Sequence, residues 1–279
     1  MFTSLKVELY KIIAKPRSYI GFIAIAIIAS LIHFAMWMDG RAYISMVTQT
    51  LEQSFNLEGK ILNGNLVCFI ILQMLIIHVP LLVTLVTGDL MSGEAAAGTM
   101  RLLATKPISR FNILLSKYLS GAIYTAVLLM FLAFIALGLG LLIFGDGDLI
   151  VLKSDELVII QSGDVLWRFF AAFGMAFLCL MLIATLSFML SCFANNSIGP
   201  IITTMAIMIL FTIICTLEIP LFDKIKPFLF TTHMVSWRLF FDNPVPYSKV
   251  LNSGAVLLAH IAIFFGVSWF YFRRKDILV

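Results

Sequence analysis

The sequence predicts an all-α polytopic membrane protein, a single domain over residues 1–279, and three observations carry that expectation. Apolar residues make up 61% of the chain and charged residues 12%, whereas soluble domains average about 45–50% and about 25%. Six stretches, at 19–37, 66–87, 118–144, 169–193, 198–217 and 251–272, are free of Asp, Glu, Lys and Arg. Each is close to the roughly 20 residues that cross a hydrocarbon core. Runs such as LLMFLAFIALGLGLLIF are apolar on every face, without the alternation of a membrane β-barrel. With 17 Gly, 8 Pro and 4 Cys, the composition fits neither a disordered chain nor a disulfide scaffold. The net charge of +4 is read as topological, with no nucleic-acid partner.

Ahead of the first span, Phe2, Leu5, Leu9, Ile12 and Ile13 share one helical face, and Lys6, Glu8, Lys11 and Lys15 share the other, until Pro16 stops the helix. This pattern predicts a helix over 2–16 lying in the membrane interface; a basic flank that only sets topology is the plainer reading. The first apolar run is too long for a removable signal peptide, and no small-residue cleavage site follows it. The loop at 38–65 is polar, with Asn56, Glu58, Lys60 and Asn63 but no recognisable site. The loop at 145–164 carries Asp146, Asp148, Asp155, Glu156 and Asp164 without the spacing of a calcium loop, so a solvated charged hairpin is expected. In segment 218–250, Phe228, Phe230, Trp237 and Phe240 stand among scattered charges. That density suits the headgroup level and predicts short helices that dip into the outer leaflet or close as a lid; an ordinary aromatic belt is the alternative.

Orientation follows from the basic residues. With a cytoplasmic N-terminus, Lys6, Lys11, Lys15, Arg17, Arg101, Lys106, Arg110, Lys117, Arg273, Arg274 and Lys275 face inside, leaving 8 of the 19 Lys and Arg outside. Both termini are then cytoplasmic in a multi-pass protein of the inner (cytoplasmic) membrane. Lys224, Lys226, Arg238 and Lys249, all in 218–250, run against the rule.

Chemistry-bearing motifs are absent. No H-E-x-x-H, G-x-S-x-G or G-x-x-x-x-G-K-[ST] occurs, so the chain is not expected to be an enzyme or to bind a metal or cofactor itself. Cys68, Cys179, Cys192 and Cys215 lie within spans and read as apolar packing residues. His33, His78 and His260 also lie within spans, where each can bond a backbone carbonyl; a shared site between His78 and His260 is the sharper alternative. Every carboxylate falls outside the spans, so a proton or sodium pathway lacks its usual groups, and energy for uphill movement has to enter from outside the membrane.

One cytoplasmic loop, 88–117, is long enough to receive it. Ser92 is expected to cap a helix that runs towards Thr105, with Glu94 in its first turn and Lys106 and Pro107 ending it. Met100, Leu102 and Leu103 leave apolar side chains on it that want a partner. Gly98 is a close-packing position or a weak point in that helix. Ser109 is expected to cap the next helix, placing Arg110 and Lys117 on one face at the headgroup level.

The spaced run of Asp89, Glu94, Gly98, Thr99, Leu103, Pro107, Ser109, Arg110, Leu114 and Lys117 resembles the cytoplasmic signature of the ABC-2 type permeases. The tail Phe272-Arg273-Arg274-Lys275-Asp276 is similar to their C-terminal ending. The resemblance implies the six-span permease subunit of an ABC exporter, working with two cytosolic ATPase subunits that bind ATP and Mg and with a second permease copy or a paralogous permease. It implies that Glu94, Gly98, Thr99, Met100, Leu102, Leu103, Pro107 and Arg110 form a coupling helix seated in the ATPase. It also implies that the segment before the last span forms short outer re-entrant helices. Lys117, Arg273, Arg274 and Lys275 are read as anchors against membrane lipids, and Phe228, Phe230, Trp237 and Phe240 as a lid. The apolar span faces suit an amphiphilic or hydrophobic substrate. A non-transporting scaffold that docks an ATPase through the same loop is the alternative, and an intramembrane enzyme using His78 and His260 a third.

Overall fold

The computed structural model describes residues 1–52, 61–75, 77–100, 108–152 and 157–275. Its helices begin and end largely where local chemistry dictates. Helix α1 (Phe2–Ala14) stops one residue before the extended Lys15 and Pro16, because proline cannot donate to a continuing helix. Ser18 Oγ then donates to the Ile12 carbonyl at 2.6 Å, which also accepts the Lys15 N–H. Helix α2 (Arg17–Glu52) is broken only at Asp39, whose φ of −123° and ψ of 15° leave the helical region.

The stretch expected as one span at 66–87 is divided into α3 (Gly64–Leu75) and α4 (Val79–Thr87), bent by 53°. Pro80 in the first turn of α4 supplies the reason, since its ring and missing N–H forbid an uninterrupted helix. The short α5 (Ser92–Ala96) follows. Ser109 caps α6 (Arg110–Phe144), accepting from the Asn112 N–H, and α6 carries a π-helical turn at Phe134–Leu139.

Strands β1 (Leu149–Leu152) and β2 (Leu157–Ile160) pair antiparallel, Leu149 opposite Ile160, so the largely helical fold also contains one hairpin. The hairpin is more than a solvated loop: Leu149, Val151, Val158 and Ile160 are buried. Asp146 and Asp148 are engaged by protein donors, Asn65 Nδ2 and the Ser162 N–H, both at 2.8 Å. Helix α7 (Ser162–Phe193) comes next, then α8 (Ile198–Thr216), and α11 (Tyr247–Arg274) closes the chain. Between α8 and α11 lie α9 (Pro220–Asp223), α10 (Phe230–Met234) and 3-10 turns at Lys226–Phe228 and Ser236–Phe241.

Five of these helices, α2, α6, α7, α8 and α11, are long and apolar enough to cross a membrane, as is the bent α3–α4 pair if its halves form one span. Helix α7 forms the middle of the bundle: it is mostly buried, whereas α8 and α11 are mostly exposed. Phe169, Ala172, Ala176, Leu182 and Phe188 of α7 meet Val67 and Ile71 of α3, Val83 of α4 and Leu257 of α11 in one core. The outer faces of α2, α8 and α11 expose Ile23, Ile27, Leu31, Ile202, Ile209, Leu251 and Ile263. Water would not tolerate so large an apolar surface, whereas hydrocarbon does. The protein is membrane-embedded.

Candidate functional site

Charge is concentrated at the end of the bundle where α1 packs along the first turns of α6. Lys117, on α6, is only 1% exposed, and its Nζ lies 2.9 Å from Glu8 Oε2 and 2.7 Å from Glu94 Oε1. Lys11 joins the same two carboxylates at 2.8 and 2.6 Å. Two ammonium groups therefore converge on Glu94 Oε1, while Glu94 Oε2 is buried without a hydrogen-bond partner. A second node adjoins the first: Asp89, 3% exposed, is 2.6 Å from Lys15 Nζ and 2.7 Å from Arg17, and accepts from Ser197 Oγ at the start of α8.

Local structure places these groups. The backbone N–H groups of Met91 and Ser92 donate to Ser191 Oγ of α7 at 3.1 and 2.9 Å. Ser191 thus does for α5 what Ser92 was expected to do, and Ser92 lies inside the helix, donating to the Gly88 carbonyl. A Cβ on Gly93 would stand 2.3 Å from Asp89 Oδ1, so glycine is needed for the carboxylate to lie against the backbone. The helix expected to run towards Thr105 is interrupted at Gly98, whose φ of +68° is a left-handed conformation that L side chains resist.

Burial sets the electrostatics. Desolvation pushes the Glu94 carboxyl up, but the Lys117 and Lys11 ammonium groups outweigh it and hold the carboxyl below its ordinary value. Desolvation likewise pulls Lys11 down, and Glu8 and Glu94 more than reverse it, so its ammonium is held above its ordinary value. Lys15 and Arg17 remain 42% and 40% exposed at the rim, where ion pairs contribute little. Removing one partner of a buried pair costs about 3–5 kcal/mol, so Lys117, Glu8 and Glu94 dominate. The cavity among these residues is about 20 Å³, far below the roughly 300 Å³ at which ligand pockets begin. Among the described residues no group of His, Cys, Asp and Glu is arranged to hold a metal ion. The arrangement is suited to mechanical work: moving α5 pulls on α6 through Lys117, on α1 through Lys11, and on α2 and α8 through Asp89.

Of the residues singled out in the sequence, Glu94 lies in the network, and Thr99 bonds back to the Glu94 carbonyl through its N–H at 3.1 Å. Met100 is half-buried against the core. Leu102, Leu103 and Pro107 lie outside the described residues, as does Asp276. Arg110 donates to the carbonyls of Arg273 and Lys275 at 2.9 and 2.8 Å, tying the root of α6 to the end of α11. Lys275 donates to the Cys192 carbonyl at the end of α7, while Arg273 and Arg274 are exposed, the latter over the Phe270 ring. Lys117 is enclosed by protein, held by two carboxylates. On α1 the buried residues are Glu8 and Ile12, one from each face, while Phe2, Lys6 and Ile13 are exposed.

Glu8, Lys11, Lys15 and Arg17 were missed as site residues, although Glu8, Lys11 and Lys15 recur along one face of α1. Nothing local marks Ser191 and Ser197. His78 and His260 do not bond each other: the Nδ1 of His78, between α3 and α4, bonds the Met74 carbonyl of α3, and that of His260 bonds the Val256 carbonyl of its own helix.

At the opposite end, Phe230, Trp237 and Phe240 are buried, whereas Phe228 is 74% exposed. Phe241 adds a fourth buried ring, 5.0 Å from both Phe69 and Phe169 in edge-on geometry. Arg168 of α7, itself buried, donates to the carbonyls of Phe240 and Asp242 at 3.0 and 2.7 Å and pairs with Asp164 at 2.6 Å.

These features define a helical membrane protein whose short inter-span segment is braced by buried charge. Residues 21–278 match the family described as "Protein of unknown function (DUF2705)", and the chain belongs to that family. It is also similar to the "Uncharacterized protein YhcI" of Bacillus subtilis (strain 168), 26% identical over 200 residues. That match covers 69% of this chain and spans 63% of the relative's length.

Proposed function

We propose that the chain is the membrane-spanning permease subunit of an ATP-driven exporter of the ABC-2 type, moving an amphiphilic or hydrophobic substrate out of the cytoplasm. The α3–α4 pair counts as one broken span, giving six, with both termini and α5 on the cytoplasmic side of the cytoplasmic membrane. The short helices between α8 and α11 are then the outer re-entrant segment. Two cytosolic ATPase subunits bind ATP and Mg, and a second permease, identical or paralogous, completes the complex.

The observation that carries the reading is the bonding of Glu94 Oε1 to Lys117 at 2.7 Å and to Lys11 at 2.6 Å. A cytosolic partner that shifts α5 shifts the root of α6 with it, because a buried ion pair resists separation. This chain supplies no catalytic group; the partner hydrolyses ATP, and the permease converts its closure into movement of spans. The test is co-purification with a co-expressed cytosolic ABC ATPase, followed by Mg-ATP hydrolysis in proteoliposomes. Glu94→Gln should leave the complex intact and abolish its stimulation of hydrolysis. A stable complex whose hydrolysis is indifferent to Glu94→Gln and Lys117→Met favours a docking scaffold.

A further inference from the structure

The two ends of α6 are held in different ways. Near its start, Lys117 joins two carboxylates; towards its far end, its backbone touches that of α3. A Cβ on Gly64 would stand 2.5 Å from the Gly140 carbonyl oxygen and 2.6 Å from the Leu141 nitrogen, and one on Gly140 would stand 3.1 Å from the Gly64 carbonyl oxygen. Glycine at both positions is what allows so close an approach. Hydrogen bonds then fix the crossing. The Gly64 N–H donates to the Gly145 carbonyl at 2.8 Å. Asn65 Nδ2 donates to Asp146 Oδ1 and the Gly147 carbonyl at 2.8 and 2.7 Å, and Asn63 Nδ2 donates to the Asp148 carbonyl at 2.7 Å. Asn63 Oδ1 also accepts the Leu66 N–H at 3.0 Å, capping α3 at the same place. Asn63 and Asn65 are 0% and 2% exposed, so water does not compete for their bonds.

Beside the crossing, the π-helical turn at Phe134–Leu139 interrupts the hydrogen-bond ladder of α6, and long helices bend at such turns. From Arg110 to Ala133 the helix is regular. The hydroxyls of Ser116, Ser120 and Thr125 along that arm donate to carbonyls of their own helix. Tyr118 and Tyr124 reach Thr185 and Ser18 at 3.0 Å, single neutral bonds that are weak beside the fastenings at the two ends. At about 1.5 Å per residue, Lys117 is roughly 35 Å along α6 from Gly140, so a turn of about 5° about the crossing carries it about 3 Å.

We propose that the Gly64–Gly140 crossing is a fixed pivot for α6. When the ionic network at the other end is displaced, the helix turns about this crossing, bending at the π-helical turn, and does not slide along α3. The pivot belongs to the fold of this chain and does not depend on the exporter reading or on what displaces α5.

The test measures spin-label distances by double electron–electron resonance on the full chain in lipid nanodiscs. Cys215, the native thiol that is not buried, is replaced by serine. One pair, Asn112→Cys with Ile198→Cys, reports on the end of α6 near the network, and the other, Leu142→Cys with Leu251→Cys, on the end beyond the crossing. Lys117→Met combined with Glu94→Leu unties α6 from α1 and α5, while Glu8 keeps Lys11 as its partner. In that variant the first distance should shift or broaden by about 3 Å, and the second by less than about 1 Å, since Leu142 is only two residues from the pivot. Adding Gly64→Ala should broaden the second distance as well. Where Gly64→Ala does not fold, Asn65→Ala takes its place, because it removes two bonds and adds no atom to the crossing. Equal changes in both pairs, an unchanged first distance, or a second distance that neither added substitution broadens overturns the proposal.

Discussion

At the α1 end, a five-residue helix is held to the long spans by Lys117, Lys11, Glu8 and Glu94. At the opposite end, the segment from Phe230 to Phe241 is held by Trp237, Phe240 and Phe241 set among Phe69 and Phe169, with Arg168 donating to the Phe240 carbonyl. Both ends fasten a segment that is too short to cross a membrane onto α6 or α7. They differ in what holds when the segment is displaced. Aromatic burial is nondirectional and falls gradually as surface is uncovered. A buried ion pair is directional, and separating it exposes each charge to a poorly solvating interior. The α1 end therefore behaves as a stiff linkage, and the opposite end as a plug.

The sharpest way to break that comparison is Lys117→Met. It leaves Glu8 and Glu94 sharing Lys11, and should cost about 3–5 kcal/mol, read as a large drop in Tm of the detergent-solubilised protein. Adding Glu94→Leu to Lys117→Met should recover much of that loss, because an apolar replacement removes the stranded charge. Trp237→Ala tests the plug. Its ring is 1% exposed, and truncation should cost about 3 kcal/mol, with a Tm shift that does not change with salt or pH.

A smaller effect is expected at Gly98. Gly98→Ala forces a Cβ into φ +68°, where nothing lies within 4 Å of it, so the cost is conformational alone, about 1–2 kcal/mol. On the proposed exporter reading, docking to a cytosolic ATPase should weaken more than stability does.

The mildest perturbation near neutrality is pH itself. The Glu94 carboxyl is held below its ordinary 4.5, so its contribution is complete above that value and is lost as pH falls through the lowered one. The Lys11 ammonium is held above its ordinary 10.5, so its contribution is complete below that value and is lost as pH rises through the raised one. Tm should be flat between the two and fall at both extremes, and Glu94→Gln should remove much of the acid limb. An acid limb of unchanged size would assign it to other carboxylates.

Much of the scaffold was legible because it depends on neighbours in the chain. Pro16 ends α1, Ser109 caps α6 through the Asn112 N–H, and charge-free runs mark the spans. The two faces of α1 were legible as a pattern, but the burial of Glu8 was not, since periodicity says which residues share a face and not what that face meets. Ser92 was misread for a related reason: it has the right side chain for a cap, but Ser191, on another helix, is closer to the open N–H groups.

By itself the sequence determined that this protein lives in a bilayer, where its helices begin, and which residues carry its scarce charge. Those outcomes follow from transfer free energies and local backbone geometry, which are properties of short stretches. Only the tertiary structure decided that Lys117 is buried, that Glu8 and Glu94 share it, and that Arg168 reaches the carbonyls of Phe240 and Asp242. Those outcomes depend on residues far apart in the chain meeting where little water competes for them, and no local pattern encodes that meeting.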